Sequence, residues 1–169
     1  SSVFCFRTND DGVPELFVVK RLDSGTDFAP GGKPDVDDPK ELAVAAARRG
    51  LAEECSLSLG RARFAKCFGG TDCHGERPRV LIDFVVSLSV REAAEVRISG
   101  VEQPRITEGR WFTLEQINVL YGKGAAQKDD LDRFYERALH AWATVKAVSV
   151  ARITCERGLT DPSMVERGI

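Results

Sequence analysis

The side chains whose types and spacing suit chemistry lie between positions 49 and 54. Glu53 and Glu54 follow Gly50 by three and four residues, so in a helix the three positions share one face. Two carboxylates this close repel each other unless a cation or an arginine offsets their charge, and Arg49 is near enough to brace one of them. Magnesium prefers carboxylate, water and phosphate oxygens as ligands. The segment therefore predicts a divalent metal site, where a bound metal ion can help to activate water.

A helix is predicted to carry these side chains. Asp38 is a favourable N-cap, Pro39 suits the first helical position, and Glu41 completes a capping box. Good helix formers continue to Glu54 and are interrupted only by Gly50. Because a glycine inside a helix costs about 1 kcal/mol relative to alanine, Gly50 requires a particular reason.

The elements around this helix are predicted from their apolar periodicity. Short runs rich in β-branched and aromatic residues predict strands, and apolar residues at helical spacing predict a long helix near the C-terminus. The strands are predicted at 2–8, 15–22, 61–68, 79–90 and 106–112, and further helices at 113–120 and 128–148. This order predicts an α/β (α+β) architecture, a mixed β-sheet sandwiched between helices. Residues 1–148 are expected to form one domain, followed by a C-terminal extension at 149–169.

The segment around the two glutamates resembles the signature of the Nudix family, G-x5-E-x7-R-E-U-x-E-E-x-G-U, in which U is a bulky aliphatic residue. Six residues fall in the family's register, namely Glu41, Arg49, Leu51, Glu53, Glu54 and Leu57. Residues 30–32 (PGG) resemble the P-G-G that opens the signature. Further along, residues 108–117 (EGRWFTLEQI) are similar to the E-x-x-W-x-x-x-x-E-L segment of many Nudix domains. The resemblance covers residues 2–148 and implies the Nudix fold.

The segment departs from the signature in three ways. The stretch between Gly32 and Glu41 is three residues longer than the pattern. Gly50 stands where the family has the first glutamate of R-E-U-x-E-E, and Ser56 stands where the closing glycine belongs. In the family that first glutamate is a metal ligand, so its loss weakens metal binding. The candidates for a compensating carboxylate are Glu102, Glu108, Asp35 and Asp37.

The resemblance implies that Glu53 and Glu54 bind Mg²⁺ or Mn²⁺ and that Arg49 orients them. Glu53 and Glu54 also have an ordinary structural interpretation, because two glutamates can form a solvated helix end. The alternative interpretation of Glu41 is a capping role alone, and that of Glu108 is a purely structural role.

The resemblance also implies phosphate contacts from the end of the second strand. Either Lys20 or Arg21 is expected to face the phosphate, but not both, because neighbouring strand residues point to opposite faces. Gly31 and Gly32 have a flexible backbone that suits close approach to a ligand, although they can simply shape a turn.

Three hypotheses of different classes follow. The first is a magnesium-dependent Nudix hydrolase that cleaves the diphosphate of a nucleoside-diphosphate-linked substrate, with nucleotide sugars, dinucleoside polyphosphates and RNA 5′ ends among the candidates. The alternative is a Nudix-fold module that has lost catalysis and binds nucleotide, RNA or a protein partner within a larger complex, which Gly50 and Ser56 favour. A purely structural subunit is a third hypothesis, with the C-terminal helix and tail docking a protein partner.

Composition limits the general class of protein. The net charge is -2, from 24 basic and 26 acidic side chains, so there is no overall attraction to nucleic acid or to membranes. No apolar run reaches the length needed to span a bilayer. The five cysteines are odd in number and irregularly spaced, which predicts reduced thiols and an intracellular location, cytoplasmic or mitochondrial.

Overall fold

The computed structural model describes residues 1–22, 25, 27–34, 41–74, 77–98, 106–122 and 134–160. The strands are β1 (Ser2–Thr8), β2 (Pro14–Arg21), β3 (Asp27–Phe28), β4 (Ala65–His74), β5 (Arg77–Ser87) and β6 (Ile106–Thr113). The helices are α1 (Ala43–Cys55), α2 (Val90–Glu95), α3 (Leu114–Tyr121) and α4 (Phe134–Thr160), with a 3-10 turn at Arg61–Arg63. Within these described ranges no helix has both the length and the apolar character to cross a membrane.

All six strands form one mixed sheet in which β2 is the branch point. One edge of β2 pairs with β6, while its other edge pairs with β1 near the start of β2 and with β3 near its end. β1 continues the sheet by parallel pairing with β5, which pairs antiparallel with β4. Since β1, β5 and β6 run opposite to β2, the first residues of β1 and β6 and the last residues of β2 meet at one end of the sheet, where β5 extends beyond β1.

Both faces of the sheet are covered by helices, as the sequence predicts. Alternate residues of β1 and β2 enter two separate cores. The core beneath α1 contains Val3, Cys5, Phe17, Val19, Ala47 and Leu51, and the core beneath α4 contains Phe4, Phe6, Leu16, Val18, Ala138 and Trp142. A strand covered on both faces needs no polar alternation, which accounts for the uninterrupted apolar run in β1.

Helix α1 begins at Ala43, so the predicted start at Asp38 is wrong. Its N-cap is Leu42, which makes no side-chain cap hydrogen bond. Glu41 precedes the helix, and its carboxylate binds Arg49. Asp38 and Pro39, on which the predicted cap depended, lie outside the described residues.

β1 has the predicted bounds, most of the other predicted elements are present with a different extent, and β3 and α2 were not predicted. The segment predicted as a strand from Arg61 begins with a 3-10 turn, and β4 runs instead from Ala65 to His74, where it pairs with Arg77 to Val85 of β5. Helix α3 starts from a capping box formed by Thr113 and Gln116. Helix α4 continues to Thr160, beyond the predicted end at residue 148, and the predicted first residues 128–133 lie outside the described ranges.

Candidate functional site

A cavity of about 690 Å³ lies at the end of the sheet where the first residues of β1 and β6 meet the end of β2. Helix α1 contributes Arg49, Glu53 and Glu54 to the cavity wall, and Arg137 of α4 lies on the wall as well. The segment between β3 and α1 contributes Gly31, Gly32 and Lys33, and β2 and β3 contribute Arg21 and Phe28. The cavity therefore holds two carboxylates among several cationic side chains, a combination that suits a phosphorylated ligand carried with a metal ion.

Arg49 links the segment that precedes α1 to the acidic residues on α1. Its guanidinium donates to the carboxylate of Glu41 at 3.1 and 3.3 Å, to both oxygens of Glu53 at 3.4 Å and to the carbonyl of Lys33 at 2.8 Å. Hydrogen bonding to Glu41 is the main cause that raises the pKa of Arg49. Arg49 thus offsets the charge of two carboxylates. It also joins the segment before α1, which contains Lys33 and Glu41, to the helix that carries Glu53 and Glu54.

Glu54 is held by the backbone of the segment that opens the signature. The N–H of Gly31 donates to Oε2 of Glu54 at 2.8 Å, and the N–H of Gly32 donates to the carbonyl of Ser1 at 3.0 Å. Gly31 also forms an isolated antiparallel bridge with Ser2. The Gly31–Gly32 backbone is therefore clamped between the start of β1 and the face of α1.

This clamp supplies the reason for Gly50. A Cβ at position 50 would lie 2.1 Å from the carbonyl oxygen of Gly31 and 2.6 Å from the amide nitrogen of Gly32. A Cβ on Gly32 would meet the carbonyl of Ala46 at 2.2 Å, so the requirement is reciprocal. The backbone of the opening segment occupies the space that the family's glutamate would need, and Gly50 is required by close packing.

Ser56, the other departure, ends α1 in a left-handed conformation. Its φ is 55°, and its N–H donates to the carbonyl of Ala52. This backbone geometry favours glycine, which is the residue the family places there. Serine keeps the helix end in the same conformation at some conformational cost, so Ser56 changes no chemistry in the cavity.

The structure separates the two basic residues at the end of β2. Arg21 lines the cavity, whereas Lys20 lies 3.9 Å from the Oε1 of Glu108. The pairing of β2 with β6 shifts between Lys20 and Arg21, an irregularity that redirects side chains at a strand end. Glu108 also binds Arg110 at 2.7 Å and does not line the cavity. The other proposed compensating carboxylates, Glu102, Asp35 and Asp37, lie outside the described residues.

Among the described residues, Glu53 and Glu54 are the acidic side chains that line the cavity. Over the part of the chain that is described, no group of three or more histidine, cysteine, aspartate or glutamate side chains is arranged to bind a metal. Two carboxylates are nonetheless compatible with magnesium, which commonly takes one or two from the protein and completes its octahedron with water and substrate phosphate. The residues present fit such an ion, with Glu53 and Glu54 as its protein ligands.

Sequence reasoning missed one charged pair at the cavity. Asp83 of β5 is fully buried, and its two carboxylate oxygens accept hydrogen bonds from Arg137 of α4 at 2.6 Å each. Arg137 also donates to the hydroxyl of Ser2 at 2.6 Å. The signal was present in the sequence, because an aspartate within the apolar strand 80–86 is almost never buried without a cationic partner. The partner, Arg137, lies 54 positions away and cannot be identified from local sequence patterns.

Several solved structures share this fold. The Nudix domain of Shewanella oneidensis NrtR, complexed with ADP ribose, matches with a TM-score of 0.63 at 15% identity and covers 85% of each chain. The C. elegans Ap4A hydrolase binary complex matches with a TM-score of 0.61 at 16% identity, over 86% of this chain and 96% of that one. A MutT protein from Methanosarcina mazei Go1 matches with a TM-score of 0.55 at 20% identity, over 81% and 90%. Identities this low establish a common fold only.

Sequence comparison identifies the family. No curated protein sequence matches this chain significantly. The family model of the NUDIX domain, however, matches residues 1–135, which are most of the chain and include the signature and every described residue of the cavity wall except Arg137. With the signature in register, the sheet enclosed by helices and the glutamates at the cavity wall, this match shows that the chain belongs to the Nudix family.

Proposed function

We propose that the chain is a metal-dependent pyrophosphohydrolase that cleaves the diphosphate of a nucleoside-diphosphate-linked substrate. The observation that carries this proposal is the placement of Glu53 and Glu54 on the wall of a cavity that Arg21, Lys33 and Arg137 also line. Cations beside the carboxylates offset the charge of a diphosphate, which two glutamates alone would repel. ADP ribose in the NrtR complex and the activity named for the Ap4A hydrolase show that this fold accommodates such ligands.

The two glutamates differ in what holds them. One oxygen of Glu54 accepts the Gly31 N–H at 2.8 Å, which orients that carboxylate. Glu53 has a side chain that is 41% exposed and is held only by longer contacts of 3.4 Å from Arg49. Glu53 is therefore the better placed of the two to accept a proton from a water molecule in the cavity.

Hydrolysis adds one water molecule across the P–O–P linkage. The water oxygen bonds to one phosphorus, its proton passes to a carboxylate oxygen of Glu53, and the bridging oxygen leaves with the other phosphate. Magnesium or manganese, bound by Glu53 and Glu54, would supply charge compensation for the diphosphate. Arg49 keeps Glu53 in position, and Arg21 lies where it can hold a phosphate against the cavity wall.

A catalytically impaired binding module is the second candidate, and the packing at Gly50 favours it. The Gly31 carbonyl occupies the position of a side chain at residue 50, so α1 cannot carry a third carboxylate there. Such a module would bind a nucleotide or an RNA 5′ end in the same cavity without turnover, with a protein partner on α4 or the tail.

The decisive experiment measures magnesium- and manganese-dependent release of phosphate or pyrophosphate from a substrate panel. The panel contains ADP-ribose, nucleoside triphosphates, dinucleoside polyphosphates and short 5′-triphosphate RNA. The test variant is the double substitution Glu53→Gln and Glu54→Gln. Its matched control is Glu95→Gln, because Glu95 is an exposed helical glutamate on α2 and does not line the cavity.

Metal-dependent turnover by the wild type and the Glu95→Gln control, together with its loss in the double variant, would establish the hydrolase and name the substrate class. If no substrate is turned over but nucleotide or RNA is bound, the hydrolase proposal fails and the binding module remains. Turnover that survives the double substitution would contradict the roles given to Glu53 and Glu54.

A further inference from the structure

The cavity that contains the glutamates is lined by side chains of both signs. Among the described residues these are four cations and two carboxylates, namely Arg21, Lys33, Arg49, Arg137, Glu53 and Glu54. Two of the cations also bind a carboxylate behind the wall. Arg49 donates to Glu41 at 3.1 and 3.3 Å, and Arg137 donates to both oxygens of Asp83 at 2.6 Å. With these partners included, four positive charges stand against four negative ones, and the described wall is neutral.

Both candidate metal ligands already have partners. One oxygen of Glu54 accepts the Gly31 N–H at 2.8 Å, and both oxygens of Glu53 lie 3.4 Å from Nη1 of Arg49. A divalent cation that entered alone would share these carboxylates with their present partners. Its own charge would also remain uncompensated in a neutral cavity, which is unfavourable away from bulk water. The cavity is therefore a weak site for a free metal ion.

Position 50 decides this balance of charge. A carboxylate there would make the described wall net negative and would favour a free divalent cation. The backbone excludes it, because a Cβ at position 50 would lie 2.1 Å from the carbonyl oxygen of Gly31 and 2.6 Å from the amide nitrogen of Gly32. The packing that requires Gly50 therefore also keeps the wall neutral.

A diphosphate that entered alone would meet the opposite difficulty. Arg21 and Lys33 attract its negative charge, but Glu53 and Glu54 on the same wall repel it. A divalent cation and a diphosphate offset each other's charge, so a neutral cavity accepts the two together more readily than either one.

We propose that this cavity binds its divalent cation and the diphosphate of its substrate as a mutually dependent pair, and that it binds the free cation only weakly. This inference rests on the proposed function and names the metal–diphosphate complex as the form of the substrate that is recognised. Because coupling between two ligands is reciprocal, each should raise the affinity of the other by the same factor.

The test measures this coupling by calorimetry on the full chain. The ligands are Mn²⁺ and α,β-methylene-ADP, a diphosphate analogue whose bridging carbon prevents hydrolysis. Each is titrated alone, with EDTA present when the analogue is alone, and then in the presence of the other. The complex that the two form in protein-free solution is subtracted. We expect each ligand to bind about 10- to 100-fold more tightly when the other is present. An affinity for Mn²⁺ that is the same with and without the analogue would overturn the inference.

Two substitutions shift the charge of the wall in opposite directions. Lys33→Met makes the wall negative, so Mn²⁺ alone should bind about two- to tenfold more tightly at low ionic strength, and the analogue alone more weakly. Its matched control is Lys66→Met, since Lys66 is exposed on β4 and does not line the cavity.

Glu53→Gln makes the wall positive, so the analogue in EDTA should bind more tightly by a similar factor, with Glu95→Gln as the matched control. Lys33 is exposed and the Glu53 side chain is 41% exposed, so both variants should fold, and thermal unfolding checks this. Affinities that neither substitution changes would show that wall charge does not set the coupling and would contradict the inference.

The two proposals fail in different ways. If the wild type hydrolyses a substrate of the panel but binds Mn²⁺ equally well without a diphosphate, the paired site is wrong and the proposed function stands. If Mn²⁺ and the analogue bind as a coupled pair but no substrate is hydrolysed, the paired site stands and the hydrolase proposal fails. If the analogue binds neither with nor without Mn²⁺ and nothing is hydrolysed, both are overturned.

Discussion

Two arginines reach one cavity from helices on opposite faces of the sheet, and their surroundings differ. Arg49 on α1 is 41% exposed and distributes its hydrogen bonds among Glu41, Glu53 and a backbone carbonyl. Arg137 on α4 is 8% exposed as a side chain and is bound at 2.6 Å to an aspartate that is fully buried. The exposed arginine can adjust as a ligand enters, whereas the buried one is confined to a single arrangement.

The difference between the surroundings of the two arginines indicates which interactions hold each helix in place. On the α1 side, stability comes from backbone packing at Gly50 and from the apolar core, and the ion pairs remain available for chemistry. On the α4 side, the charged pair is part of the interior, and breaking it leaves a buried carboxylate without a counter-charge. Four substitutions test this contrast through the free energy of unfolding, in order of decreasing expected effect.

The substitution Arg137→Met should cost the most, about 3 to 5 kcal/mol, because it leaves Asp83 buried and unpaired. Urea unfolding followed by circular dichroism measures the loss. The double substitution with Asp83→Leu should recover most of it, since both charges are then absent. A loss below about 1 kcal/mol for Arg137→Met alone would mean that the pair is solvated like the exposed ones.

The substitution Gly50→Ala should destabilise the protein by about 1 to 3 kcal/mol, because its Cβ would meet the Gly31 carbonyl at 2.1 Å. Gly60→Ala is the matched control, as a Cβ at Gly60 would meet no atom within 4 Å. The same urea experiment measures both. Gly50→Glu should likewise destabilise the fold and should not raise metal-dependent hydrolysis; a gain in activity would show that α1 can move away from the opening segment.

The substitution Glu92→Gln should cost about 1 kcal/mol and serves as a reference for an exposed pair away from the cavity. Arg63 donates to Glu92 at 2.7 and 3.1 Å, and these bonds, with the Ser89 N–H, lower the pKa of Glu92 from 4.5 to about 2. A lowered carboxyl pKa contributes stability that is complete above pH 4.5 and is lost as the pH falls toward 2. The gap between wild type and variant should therefore close in this range, and a constant gap would exclude the ionic contribution.

The substitution Arg49→Met should change the free energy of unfolding least, by about 1 kcal/mol or less, because the side chains of Arg49 and Glu53 are each 41% exposed and only Glu41, at 12%, is largely buried. Under the proposed function, hydrolysis should nevertheless fall about 10- to 100-fold, as it does when a residue that orients metal ligands is removed. Urea unfolding measures the change in stability, and the hydrolysis rate at saturating magnesium measures the change in activity. A large loss of stability with activity preserved would reverse the contrast between the two arginines.

Local patterns were sufficient for most of the fold. The β1 strand has the predicted bounds, and the apolar alternation of β5 places Phe84, Val86 and Leu88 in the core beneath α1 as expected. Val80 and Val90 lie near the two ends of the strand predicted at 79–90 and are 70% and 83% exposed, because Val80 lines the larger cavity and Val90 is the first residue of α2. The predicted start of α1 was wrong because Glu41 and Leu42, which the capping pattern placed inside the helix, precede its first residue, Ala43.

The sequence by itself determined the family signature, the alternation of strands and helices, and the shared helical face of Glu53 and Glu54, because these depend on spacing along one element. Only the tertiary structure decided that Gly50 is required by contact with Gly31, that Arg21 rather than Lys20 lines the cavity, and that Asp83 binds Arg137. Each of these depends on the distance between segments far apart in the chain, and that distance is set by how the helices pack on the sheet.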